Sequence, residues 1–192
     1  MALRAEAAHE EGRKGVMFTK RWLESTTHME LDVDAYDWAS ECTVTCLDDS
    51  LQTFDMKGRI FKSKAPVFVE NKAYSTVGGQ AAAYQDFLAI AYSATVREMD
   101  RTHDPRWEFM WVTTHPFAQT SWSKLTKATQ IKKALEEDTT GLLAGRPIDD
   151  DVVALLRDRV WLLVLNKRQD ELTLKPRELS KIEGLLNRKG KK

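Results

Sequence analysis

Asp55, Glu70 and Lys72 are the residues of this chain whose types and spacing point most directly to chemistry. Asp55 falls inside Phe54-Asp55-Met56-Lys57-Gly58-Arg59-Ile60, which reads as a strand. Side chains alternate along a strand, so Asp55, Lys57 and Arg59 are expected on one face and Phe54, Met56 and Ile60 on the other. Further on, the apolar run Val67-Phe68-Val69 ends in Glu70-Asn71-Lys72, where the acid and the base share a face by the same rule. Two such strands joined by a short turn can set Asp55 beside Glu70 and Lys72. Charged groups inside strands are costly unless paired or bound to a metal. Phosphodiester hydrolysis suits this set. Two carboxylates hold Mg²⁺, which prefers hard oxygen ligands and keeps several waters. A bound water is thereby activated, and a neighbouring lysine orients it and stabilises developing charge. The other reading of the same three residues is a cross-strand ion-pair cluster shared with Lys57, and this short pattern leaves both open.

Two further features bear on that choice. Gln80 and Tyr84 form Gln-x-x-x-Tyr and lie on one face of the helix that Gly78-Gly79 opens. The start of that helix presents unpaired N–H groups of the kind that take a phosphate. The bland alternatives are a cap position for Gln80 and a core position for Tyr84. Near the start of the chain, Glu11, Gly15, Phe18 and Trp22 have helical spacing, which puts Glu11 on the buried stripe and Glu10 on the wet side. A core-facing carboxylate needs a partner or a metal; otherwise Glu11 serves the helix dipole beside Arg13.

These side chains must be positioned by alternating elements. Helices are expected over residues 3–24, 80–99, 121–137, 149–158 and 176–187, with Pro176 suited to a first helical position. Strands are expected over 30–34, 41–47, 51–61, 66–73, 107–114 and 159–165. The pattern is α/β, with helices packed on a mixed sheet. Trp107, Trp111 and Trp161 are expected in the core. Trp122 is read as packing, with base stacking the alternative.

The set Glu11, Asp55, Glu70-Asn71-Lys72, Gln80-x-x-x-Tyr84 resembles the PD-(D/E)xK nuclease superfamily, the restriction-endonuclease-like fold, in its RecB-type and lambda-exonuclease-type versions. The resemblance implies an αβββαβ core over residues 1–115, with residues 116–192 as a C-terminal α/β extension packed on it. It implies that Asp55 and Glu70 hold Mg²⁺ or Mn²⁺, with Glu11 as a helix acid touching the metal. It implies Lys72 as the catalytic lysine, and Gln80 and Tyr84 as residues that position substrate or metal-bound water. Lys57 and Arg59, on the face of Asp55, are the candidate substrate-binding bases. The chain departs from the family pattern in having Phe54, and not proline, before Asp55.

Composition narrows the setting. Of 192 residues, 42% are hydrophobic and 30% charged, which excludes a disordered or collagen-like chain. The longest strongly apolar run, Val160 to Leu165, is far short of the roughly 20 residues that span a bilayer. No secretory signal is read at the start, so a cytoplasmic protein with no membrane partner is expected. Cys42 and Cys46 are too far apart in a strand for a disulfide, at roughly 13 Å. With scattered histidines, a zinc site is not expected. Asp149-Asp150-Asp151 reads as a helix cap and first turn.

Lys and Arg balance Asp and Glu at 29 each, so the chain is not built to hold nucleic acid by bulk charge. The distribution is uneven. Residues 30–55 carry eight acids and no Lys or Arg, and residues 56–72 carry five bases against Glu70 alone. Weak intrinsic DNA affinity follows. The expectation is a Mg²⁺-dependent DNA nuclease that gains activity in a homo-oligomer or with a partner subunit, as in multi-component restriction or antiviral defence assemblies. The apolar residues of the tail are candidates for that interface, and its basic end, Arg188-Lys189-Gly190-Lys191-Lys192, for phosphate contact. A structure-specific repair nuclease resembling Holliday-junction resolvases, and an inactive nuclease-like scaffold, are the alternatives.

Overall fold

The computed structural model describes residues 2–73, 78–103 and 105–186, with side chains from residue 10 onward. The basic end at 188–192 lies outside the described residues. The chain runs through helix α1 (Ala2–Thr26), strand β1 (Met29–Asp34), a single-turn helix α2 (Ala35–Trp38), and strands β2 (Thr43–Thr45), β3 (Leu51–Thr53), β4 (Met56–Ile60) and β5 (Pro66–Lys72). Helix α3 (Gln80–Thr102), strand β6 (Glu108–Thr113), helices α4 (Ala128–Glu136) and α5 (Asp150–Arg157), strand β7 (Val160–Val164) and helix α6 (Pro176–Ile182) follow. The fold is α/β, as the patterning implies. No helix among the described residues is long and apolar enough to cross a membrane.

One mixed five-stranded sheet has the order β1-β4-β5-β6-β7. β1, β4 and β5 are antiparallel neighbours, and β5, β6 and β7 are parallel. Helices cover both faces, which is why β5 and β6 are apolar nearly throughout. Val67, Val69, Met110 and Val112 pack with Met56, Leu31, Val16 and Leu23 under α1. Phe68, Phe109 and Trp111 pack with Phe54, Tyr84, Phe87 and residues of α4 and α5 on the other side. The segment after residue 116 thus supplies β7 to the central sheet and two helices to the larger core cluster.

Local chemistry sets the element ends. The Asp34 carboxylate accepts from the Tyr36 and Asp37 backbone N–H groups and starts α2. Asp149 caps α5 in the same way, so the Asp149-Asp150-Asp151 run is a helix start. Gly79 precedes α3 with φ of 77°, a conformation other residues rarely adopt. Gly58 is where β4 and β1 meet backbone to backbone: a Cβ there would lie 2.0 Å from the Glu30 carbonyl oxygen. The β1 register is irregular between Glu30 and Val33, at this same contact.

Several boundaries differ from the sequence expectations. The expected strand 51–61 is two strands in different sheets, because the chain bends at Asp55. β3 pairs with β2 in a separate two-stranded sheet. Phe54 donates its backbone N–H to the Cys42 carbonyl at 3.0 Å. Phe54 therefore packs on Phe68, with ring centroids 5.4 Å apart, on the opposite side of the main sheet from Met56. Residues 39–42 and 119–124 form 3-10 turns where a strand and a helix were expected to begin. α2 and the 3-10 turn at 167–172 were not anticipated. Trp161 is not core: it is 45% exposed on edge strand β7, and its indole N–H donates to Glu108 at 2.6 Å. Trp122 does pack, edge-on to Phe117. Cys42 and Cys46 are both buried free thiols.

Candidate active site

The end of β5 and the bend before β4 bring Asp55, Glu70 and Lys72 together. The antiparallel register that pairs Met56 with Val69 sets Asp55 across from Glu70. At the bend, the Asn71 backbone N–H donates to Asp55 Oδ2 at 2.7 Å. The carboxylate thus accepts the bond a strand neighbour would have taken. Two residues apart on β5, Glu70 and Lys72 point to the α3 side and form an ion pair of 2.6 Å. Their side chains are only 19% and 28% exposed. The Lys72 ammonium also lies 5.7 Å from the centre of the Trp111 ring, carried there by the parallel pairing of β5 with β6.

Electrostatics at this pair are strained by burial. Glu70 is pushed up to about 7, first by burial, then by the Asp55 charge, with Lys72 opposing. Burial also raises Asp55, against the Asn71 N–H and Lys72. Two buried carboxylates whose proton affinity is raised are the donor set a divalent cation relieves. Mg²⁺ takes one or two carboxylates and fills its remaining positions with water and substrate oxygens, so Asp55 and Glu70 fit it. Among the described residues no three His, Cys, Asp or Glu side chains gather into a metal-holding group, so the protein's share would be this pair.

Glu70 and Lys72 open on a cavity of about 180 Å³, walled also by Thr53, Phe54, Asp86 and Trp111. The Trp111 indole N–H is buried there without a hydrogen-bond partner.

The other candidates fall elsewhere. Gln80 is fully buried beside this strand end, where its Oε1 accepts from the Thr113 hydroxyl at 2.6 Å and its Nε2 has no partner. Thr113 is the register partner of Lys72, so Gln80 braces the site from behind. Tyr84, expected to contact substrate, is a core residue. Its ring packs among Phe87, Trp111 and Phe117, and its hydroxyl donates to the Leu125 carbonyl at 3.1 Å. Burial raises its phenol well above the ordinary range.

Glu11 is not on the buried stripe. That stripe is Val16, Thr19 and Leu23, and Glu11 is 69% exposed with Lys14 3.8 Å away. The stripe includes Gly12, whose missing side chain accommodates the Tyr36 hydroxyl at 2.7 Å from an ideal Cβ. Lys57 lies over the Phe68 ring and 3.8 Å from Glu41. Arg59 bridges Glu30 at 3.0 Å and Asp32 at 3.5 Å, and its register partner is Pro66, far along β5 from Glu70. The reversal of charge along residues 30–72 is thus largely cross-strand pairing, which leaves Lys57 and Arg59 occupied by acids.

Tyr36, Asp86 and Trp111 were missed as neighbours of the site. Tyr36 responds to burial first, then to the charges of Asp55 and Asp34, with Arg13 opposing and Glu10 adding. Glu10 is exposed, as the spacing implies. The Asp34 cap, which sends the chain back after β1, is the sequence signal that could have placed Tyr36 here.

No family model and no curated protein matches this chain. Among solved structures, it is similar to the Cap4 SAVED/CARF-domain containing receptor of Moraxella osloensis, at 14% identity and a TM-score of 0.36, over 84% of this chain and 34% of that one. The Acinetobacter baumannii Cap4 SAVED/CARF-domain containing receptor gives 13% identity and a TM-score of 0.35, over 88% of this chain and 35% of that one. The same Acinetobacter receptor with the cyclic trinucleotide 3'3'3'-cAAA gives 15% identity and a TM-score of 0.34, over 90% and 34% of the two chains. The chain spans about a third of the length of the structures it matches.

Proposed function

We propose that this protein is a Mg²⁺- or Mn²⁺-dependent DNA nuclease of the PD-(D/E)xK type. The observation that carries the reading is the meeting of Asp55 with the Glu70–Lys72 pair at one strand end, half-closed from water. A bound divalent cation would supply Lewis-acid polarisation of the phosphoryl oxygen and an activated water. Asp55 and Glu70 would hold it, and Asn71, through its backbone N–H, fixes the Asp55 carboxylate in place. Lys72, once Glu70 is engaged by a cation, is released to orient the attacking water and to oppose charge growing on the phosphate. The Trp111 ring walls the same space beside Lys72.

With no net charge and its hairpin bases paired, the isolated chain is expected to hold DNA weakly and to work as the nuclease subunit of a larger assembly, of the restriction or antiviral defence kind. The test is incubation with plasmid and linear DNA, with and without Mg²⁺ or Mn²⁺, beside Lys72→Ala. Metal-dependent cleavage reduced by about 10²–10³-fold in the variant is the expected outcome. Cleavage unaffected by Lys72→Ala would end this reading. A metal titration separates a nuclease from an inactive scaffold, which should show no Mg²⁺ or Mn²⁺ site.

A further inference from the structure

A second, larger cavity lies on the other side of the sheet from Glu70 and Lys72. It measures about 600 Å³ and is enclosed by α1, the carboxyl ends of β5, β6 and β7, and the 3-10 turn at 167–172. Parallel strands in open α/β sheets place ligands at this end, and the volume is that of a small-molecule site.

Its walls have a definite chemistry. Phe18 and Leu165 supply apolar surface. The Asn71 amide reaches in from β5; its Oδ1 accepts from the Thr19 hydroxyl at 2.7 Å, which fixes the group with its NH₂ as donor. That NH₂ lies 3.0 Å from where a Cβ on Gly15 would be, so the glycine keeps the amide open to the space. The acids present are already engaged: Glu11 pairs with Lys14, and Asp170 pairs with Arg21. The Arg21–Asp170 pair ties the 167–172 turn to α1 and leaves Arg21 Nε buried without a partner. Lys167 lines the cavity with no acid paired to it among the described residues. An unbalanced cation, a fixed amide and an aromatic side chain together suit a planar polar body that carries one anion.

We propose that this cavity is a nucleotide subsite, which seats one unpaired nucleotide of the substrate strand beside the bond being cut. The base rests against Phe18 and its edge meets Asn71, while the phosphate meets Lys167. Glu70, Asn71 and Lys72 are consecutive and alternate faces, so only the width of one strand end separates the cavity from the cleavage site. The space is too small for a paired duplex. The substrate class is therefore nucleic acid with an unpaired nucleotide next to the scissile bond, such as a single-stranded tail, flap or frayed end. The choice of ligand rests on the nuclease reading.

The test is titration of the whole chain with thymidine 5'-monophosphate in the presence of a chelator, followed by calorimetry. Inorganic phosphate is run as the control, and Lys167→Ala and the charge reversal Lys167→Glu as the variants. Both substitutions fall on an exposed turn, and thermal unfolding checks that each still folds. Binding of the nucleotide that weakens about tenfold in Lys167→Glu and persists in Lys72→Ala supports the subsite. No nucleotide binding, binding indifferent to Lys167, or equal competition by inorganic phosphate overturns it. Cleavage without nucleotide binding removes the subsite and leaves the nuclease reading. Nucleotide binding without metal-dependent cleavage removes the nuclease reading and leaves the subsite.

Discussion

Strand β5 presents two unlike faces at the same end. Towards α3 it offers Glu70 and Lys72, which are tightly paired and mostly buried, with a cavity of about 180 Å³ before them. Towards α1 it offers Asn71 and Ala73, both uncharged, on a cavity of about 600 Å³ whose cations come from other elements. The small face concentrates charge where it costs most, and the raised proton affinity of Glu70 is the mark of that cost. The large face keeps charge at the rim, where it is cheap to hold. On the proposed reading, the costly charge would serve bond making and breaking, because its strength depends on exclusion of water. Rim charge serves capture, because it acts before water is expelled.

The contrast can be broken at its strongest point by Glu70→Gln. The substitution keeps the shape, removes one of the two carboxylates proposed to hold the metal, and should reduce cleavage by about 10³-fold at saturating substrate. The cavity on the α1 side should still bind nucleotide. A variant that loses both activities together would mean that the two faces are one site.

A second test reads the charge itself. Glu70 holds its proton up to about 7 in the folded protein, against an ordinary value near 4.5. Between those values the folded state binds more protons than the unfolded one, so metal-free stability should fall as pH rises through this window. The contribution is fully present below pH ~4.5 and lost above ~7. Unfolding in chelator should occur about 5 °C lower at pH 8 than at pH 5 through this group. The difference should shrink in Glu70→Gln and on addition of Mg²⁺. The smallest effect is expected of Glu11→Gln, which removes one exposed ion pair. It should change stability by less than about 0.5 kcal/mol and leave Mg²⁺ affinity as in the wild type.

What the sequence made legible follows from how far each rule reaches. The period-two rule within β5 puts Glu70 and Lys72 on one face, and the short hairpin sets Asp55 across from them. The same rule fails at Phe54, because alternation holds only while a strand is straight, and the chain bends at the next residue. On α1 the stripe was set by Phe18 and Trp22, which are half-buried, when Val16, Thr19 and Leu23 are the buried ones. A helix turns about 100° per residue, so that displacement moved Glu11 into water. Tyr84 had the spacing of a site residue and the chemistry of a core one, and packing against Trp111 decided it. The α1-side cavity carries no motif, since its walls come from four segments far apart in the chain.

Gly58 bears on how this protein would be recognised among its descendants. A side chain at that position would strike the Glu30 carbonyl oxygen and the Leu31 Cα, so β1 and β4 could not stay paired as they are. The position holds no charge, yet it keeps the hairpin in register with the edge of the sheet. A lineage could preserve Asp55, Glu70 and Lys72 letter for letter and still lose the alignment that makes them neighbours. Inheritance of the site is therefore recorded as much in an atom the chain must never acquire as in the three side chains it must keep.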